Sequence, residues 1–145
     1  MMRLTGLFTY ISRCGVQYRN QHLEPLGLTY RQADMMLKIC NSPGISQDEL
    51  GRRMVLNKSN IARQIAGLEE GGFVERRTDA KDKRAFCLYP TEKTLSIEPE
   101  IRQIFRDWNE YLMAVLTDEE QATLRELLSR VRDRAGVWLE ENRNG

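Results

Sequence analysis

The stretch SQDELGRRMVLNKSNIARQIAGLEEGGFVERRTDAKDKRAFCLYPT, Ser46 to Thr91, changes character several times within a short span. Ser46 followed three residues later by Glu49 reads as a capping box, and Asp48 sits in the first turn, where the helix dipole favours an acid. This predicts a short helix ending near Met54. After the turn VLN, Asn57 or Ser59 can cap a second helix over 58–70, with Ile61, Ile65 and Leu68 on its inward face. Gly71-Gly72 ends that helix. The runs FVERR and AFCLY then read as two short strands, closed by Pro90-Thr91. Between them lies a charged tip, with Arg76, Arg77, Lys81, Lys83 and Arg84 set around Asp79 and Asp82. A hairpin that only reverses the chain would use two residues such as Asn-Gly. This tip is longer and lacks glycine, so its charges serve something besides the turn.

Two short helices joined by a tight turn and followed at once by a hairpin describe a winged helix-turn-helix. In that arrangement the helix at 46–54 crosses the nucleic-acid backbone and the helix from 58 enters the major groove. The second helix must then be apolar inside and carry short polar or basic side chains outside, near its N-terminus. Lys58, Ser59, Asn60, Arg63 and Gln64 meet that requirement. Arg and Gln can make bidentate contacts to guanine and adenine, while Ser and Asn can reach phosphates or base edges. Glu69-Glu70 fall at the far end. A basic wing tip could reach a minor groove, whose narrow negative channel favours Arg. The competing reading is a winged helix used as a protein-interaction module without DNA contact. Such a module would show apolar or acidic residues on the outer face of the helix.

The flanks read as helices. Leu4, Leu7, Phe8, Ile11 and Tyr18 recur at helical spacing over 4–23, and Pro25 and Gly27 break the pattern. Thr29 can cap a helix through Cys40 with Ala33, Met36, Leu37 and Cys40 inside, and Pro43-Gly44 follow its end. Beyond the wing, Ile97, Ile101, Ile104, Phe105, Trp108 and Leu112 form one stripe. Thr117 then caps a last helix, with Leu124, Leu127, Leu128, Val131, Ala135 and Trp138 along it. The fold class expected is mainly α with a small β-hairpin wing, as a single domain. Residues 29–91 form its winged core, and 1–24 and 95–145 form helical regions for dimerisation. That much large apolar surface on the flanking helices needs a covering surface.

Composition bounds the function. The 145 residues are 41% hydrophobic and 30% charged, as in an ordinary globular chain. Their net charge of +1 is spread unevenly, at +3 over 1–45, +2 over 46–91 and −4 over 92–145. No run approaches the length of a membrane helix, and the spaced apolar residues near the start do not form a signal peptide, so the cytoplasm is the expected compartment. Three separated cysteines (Cys14, Cys40, Cys87) and a single histidine, His22, give neither a disulfide framework nor zinc spacing. No nucleophile with a base, glycine-rich phosphate loop or metal motif is present, so neither an enzyme nor a cofactor is expected.

Ser46 to Lys93 resembles the winged core of the MarR (multiple-antibiotic-resistance regulator) family. The resemblance is sharpest in Phe73-Val74, the Arg76-Arg77 pair, Asp82-Lys83-Arg84 and the strand AFCLYPT. Where the family usually carries a glycine after the strand's threonine, this chain has Thr94. The resemblance implies a homodimer on a pseudo-palindromic double-stranded operator, acting as a repressor. It implies that Arg84 enters the minor groove while Asp82 holds Arg84, or Arg76 or Arg77, in place. It also implies release by a small aromatic or phenolic ligand, with Phe8, Ile11, Tyr18, His22, Tyr30 and Met36 as candidate lining residues. Some members sense peroxide through a cysteine near the start of the first helix. Cys14 lies in that helix, but later than the family register, and a thiol-sensing regulator is the alternative on the same scaffold.

Overall fold

The structure, a computed structural model, describes residues 3–143. The residues up to Trp108 form one compact unit and those from Asn109 a second. The outermost residues of the two expected dimerisation regions, 1–2 and 144–145, lie outside the described ones.

In the first unit α1 (Leu4–Leu23) is followed by a single 3-10 turn and then α2 (Tyr30–Asn41), β1 (Ile45–Ser46), α3 (Gln47–Met54) and α4 (Lys58–Glu70). The wing strands β2 (Val74–Thr78) and β3 (Phe86–Pro90) lead into α5 (Glu92–Met113). Thr29 caps α2 with a complete capping box to Gln32. Asn57 caps α4 by accepting from the Asn60 amide at 2.8 Å, so of the two candidates it is Asn57 that takes the role. Ser46 caps α3 through the Glu49 amide, but the reciprocal half of the expected box is missing. The Glu49 carboxylate turns instead to Arg52 and Arg53, whose guanidiniums compete better for it than a lone amide.

The sheet has three strands, not two. β1 pairs antiparallel with β3 through Ile45–Leu88 and Ser46–Cys87, giving the order β1-β3-β2. Two residues are too few to show a period-2 pattern, so β1 leaves no signature in the sequence. The core gathers Leu23, Met35, Ile39, Leu50, Ile61, Ile65, Leu68, Leu88 and Ile101, from helices and wing alike. On α2 the expected Ala33, Met36 and Leu37 are buried, Met35 and Ile39 are buried with them, and Cys40 is only half-buried, so the inward face is wider than the one expected and stops short of Cys40. Gly51 lets α3 and α4 close on one another, since a Cβ there would stand 3.3 Å from the Ile61 side chain. At the end of α3, Val55 is left-handed (φ 56°), which is strained for a β-branched residue.

The second unit holds the last turn of α5 and α6 (Asp118–Asn142). Thr117 and Glu120 form a reciprocal capping box, and Gln121 Nε2 donates to the Met113 and Leu116 carbonyls across the bend. No residue of α6 is buried. Among the described residues no helix is long and apolar enough to cross a membrane.

Candidate nucleic-acid interface

The outward face of α4 is internally ordered. Asn57 Oδ1 accepts from the Ser59 hydroxyl (3.0 Å) as well as from the Asn60 amide. Asn60 Oδ1 in turn accepts from Gln64 Nε2 at 2.9 Å and Arg63 Nη2 at 3.3 Å. Lys58, Ser59 and Arg63 are exposed, and Asn60 and Gln64 are half-buried. Asn57, Ser59, Asn60, Arg63 and Gln64 are thus held by one another before any partner arrives, and a pre-set rotamer loses less entropy on binding. Asn57, the cap that starts this chain of hydrogen bonds, is not among the residues expected to contact DNA.

In the wing, strand register decides which charges meet. Arg76 lies opposite Leu88 and Arg77 opposite Cys87, so each reaches diagonally to an aromatic on its own face. Arg76 lies 5.0 Å from the Phe86 ring centre and Arg77 lies 4.1 Å from that of Tyr89. Asp82 holds neither of them, contrary to that part of the expectation. Arg76 is bound by both oxygens of Glu69, at 3.0 and 3.1 Å, and Arg77 is bound by Glu75 at 3.3 Å. The Arg76 hydrogen bonds hold the Glu69 carboxyl below the usual carboxylate range. Glu75 and Arg77, two apart on one strand face, are a period-2 pair that the sequence displays. The Glu69–Arg76 pair spans a turn and shows only in three dimensions.

The aspartates of the tip fold its backbone. Asp79 Oδ1 accepts from the Lys81 amide (2.8 Å) and Asp82 Oδ1 from the Arg84 amide (3.0 Å). Asp82 Oδ1 also lies 3.7 Å from Arg84 Nε, too far for a hydrogen bond but close enough to bias the guanidinium. The Arg84 side chain is 96% exposed, and Lys83 beside it is exposed too.

The six candidate ligand-lining residues stand in different surroundings. Tyr18 is sandwiched between His22 (4.1 Å) and Trp108 (5.0 Å), and His22 Nδ1 donates to the Tyr18 carbonyl. Tyr30 stacks on Phe105 at 6.0 Å under the Arg19 guanidinium, 4.1 Å from its ring centre. Met36 is wholly buried in the core, Ile11 is exposed and Phe8 half-buried. The first unit has open clefts of about 220 and 440 Å³, one between α2 and α4 and one at the end of α1. None of the six residues lines either cleft. Cys14 is exposed on α1. Burial pushes the Cys40 thiol up to about 11, with Glu98 adding to the rise and Arg102 opposing it, which leaves Cys40 a poor nucleophile.

A three-stranded wing packed behind two short helices, with an ordered polar face on the second, defines a winged helix-turn-helix protein. Comparison with known proteins narrows that class. Residues 26–85 match the family model described as MarR family. The chain is 32% identical over 122 residues to the uncharacterized HTH-type transcriptional regulator YybA of Bacillus subtilis (strain 168), covering 84% of this chain and 81% of that one. A crystal structure of MarR superposes with a TM-score of 0.85 at 32% identity, covering 97% of this chain and 95% of the other. A cysteine-to-serine mutant of E. coli MarR, crystallised with operator DNA, superposes at 0.80 with 27% identity, over 88% of this chain and 92% of its own. The chain belongs to the MarR family of winged helix-turn-helix transcriptional regulators, which are not enzymes.

Proposed function

We propose that this chain is a homodimeric repressor that binds a pseudo-palindromic double-stranded operator and is released by a small aromatic or phenolic ligand. The observation that carries the DNA reading is the face of α4. Lys58, Ser59, Asn60, Arg63 and Gln64 project from one rigid helix, and no exposed large apolar residue interrupts them. That is the donor-rich surface a major groove accepts and a protein-binding groove does not. Arg84, with Lys83 beside it, is the basic tip for the adjacent minor groove. Arg76 and Arg77 act here through their carboxylate partners, shaping the wing. Dimerisation is supported by the exposed Leu4, Leu7, Tyr10 and Ile11 of α1 and, separately, by the exposed apolar residues of α6. The ligand part rests on the family resemblance, with Arg19 beside the Tyr30 and Phe105 rings as a cation for an acidic group.

The test is selection from a random duplex library by the purified full-length chain. The expected product is an inverted repeat whose half-sites are centred about one helical turn apart. Arg63→Ala should then relax one base position in each half-site at a cost of about 1–3 kcal/mol. Enrichment of no sequence, or of a motif without two-fold symmetry, would contradict the reading.

A further inference from the structure

Each of the three carbonyls that lead from the recognition helix into the wing is engaged by Thr91 or by the opening residues of α5 that follow it. Gly71 O accepts from Lys93 Nζ at 2.8 Å, and Gly72 O from the Thr91 hydroxyl at 2.6 Å. Phe73 O accepts from the Thr94 hydroxyl at 2.6 Å and from the Thr91 amide at 3.3 Å. Lys93 Nζ also stands 4.3 Å over the Phe73 ring. The turn closes α4 with its own backbone bonds, Phe73 N to Leu68 O at 2.9 Å and Gly72 N to Glu69 O at 3.0 Å around left-handed Gly72 (φ 77°), and the bonds to its carbonyls fix where that turn sits against α5.

Thr94 differs from its neighbours. It is 1% exposed and is the one polar residue among the buried core residues described. A buried hydroxyl needs a partner, and this one takes the backbone at the root of the wing and not a side chain. The Thr94 amide in turn approaches the Thr91 hydroxyl at 3.4 Å. The Glu69–Arg76 pair also ties the end of α4 to β2. The end of the recognition helix, the turn and the first wing strand are therefore linked to one another and to α5.

We infer that Thr94 is a positioning residue for DNA recognition. Its hydroxyl, acting through the Phe73 carbonyl, sets the angle between α4 and the wing, so that the polar face of α4 and Arg84 meet one duplex together. The inference rests on the DNA-binding reading above. Thr94 is uncharged and buried, so it acts through geometry and not through the release of counterions from phosphate.

The experiment compares the full-length chain with Thr94→Val, which keeps the shape and removes the donor, and Thr94→Ser, which keeps the donor. The probe is the duplex that the wild-type chain enriches from a random library, beside a scrambled duplex of the same length. For Thr94→Val, affinity for the selected duplex should fall about ten-fold, because the Phe73 carbonyl keeps only the longer bond from the Thr91 amide and loses the short one that ties it to α5. Its salt slope and its affinity for the scrambled duplex should not change, and Thr94→Ser should stay close to wild type. Hydrogen exchange should quicken over residues 71–90 in Thr94→Val and leave α2 protected. Wild-type affinity and exchange in Thr94→Val would overturn the inference. So would an altered salt slope, or faster exchange throughout the chain, which would make Thr94 a support of the whole fold. If the wild type enriches no sequence, the DNA-binding reading fails, and exchange over 71–90 alone then decides whether Thr94 holds the wing root.

Discussion

The helices α4 and α6 carry apolar stripes of the same kind and end differently. α4, with 13 residues, buries Ile61, Ile65 and Leu68 within its own chain and turns a polar face outward. α6, with 25 residues, buries nothing and leaves Leu127, Leu128, Val131, Val137 and Trp138 exposed. A stripe that its own chain covers is explained by folding. One left bare on a long, well-capped helix is explained by a second surface. α1 shows the same contrast within one helix: Leu23 is buried while Leu4, Leu7 and Ile11 are open to solvent.

The largest way to break this comparison is to charge the bare stripe. Leu128→Glu with Val131→Glu should weaken self-association by roughly 1000-fold or more, because two carboxylates from each protomer would have to be buried unpaired. Sedimentation equilibrium would then show monomers at concentrations where the wild type is dimeric, and a persisting dimer would place the interface elsewhere. Within α4, Ile65→Ala should lower unfolding free energy by about 3 kcal/mol in urea titrations, from lost burial and the cavity left behind. A loss near zero would mean that this face packs less tightly than the structure shows. On the polar side, Arg84→Ala should reduce operator affinity about ten-fold and lower the salt slope by about one, as removal of one phosphate-region cation should. If both are unchanged in an anisotropy titration, the wing tip has no part in binding. The smallest effect is a gain: Val55→Gly should stabilise the fold by about 1 kcal/mol by relieving a left-handed β-branched residue. Unfolding at the wild-type midpoint would show that the turn carries no strain.

The helices and the two long strands are legible in the sequence because each repeats its signal. Ile61, Ile65 and Leu68 show the helix period, and Thr117 with Glu120 marks a start. What was not legible depends on partners brought together by folding. β1 is too short for a pattern. Glu49 had two guanidiniums and an amide to choose among, and sequence alone does not rank them. The partner of Arg76 is Glu69 and not Asp82 because the turn at Gly71-Gly72 brings the end of α4 beside β2. Lys58 to Gln64 could be named from the helix period, but the hydrogen-bond chain from Asn57 through Asn60 to Arg63 and Gln64 could not. Thr94, read from sequence only as a departure from the family's usual glycine, acquires a role once its hydroxyl is seen on the Phe73 carbonyl.

The central claim is that the α4 face and the wing tip read duplex DNA. Fluorescence anisotropy of the purified chain on a duplex from its own upstream region tests it most directly, against a scrambled duplex, with salt raised from about 50 to 300 mM. Tight binding to the first duplex, a large excess over the second and a steep fall with salt are expected. Weak, equal binding to both, together with failure to select any site from a random library, would contradict it.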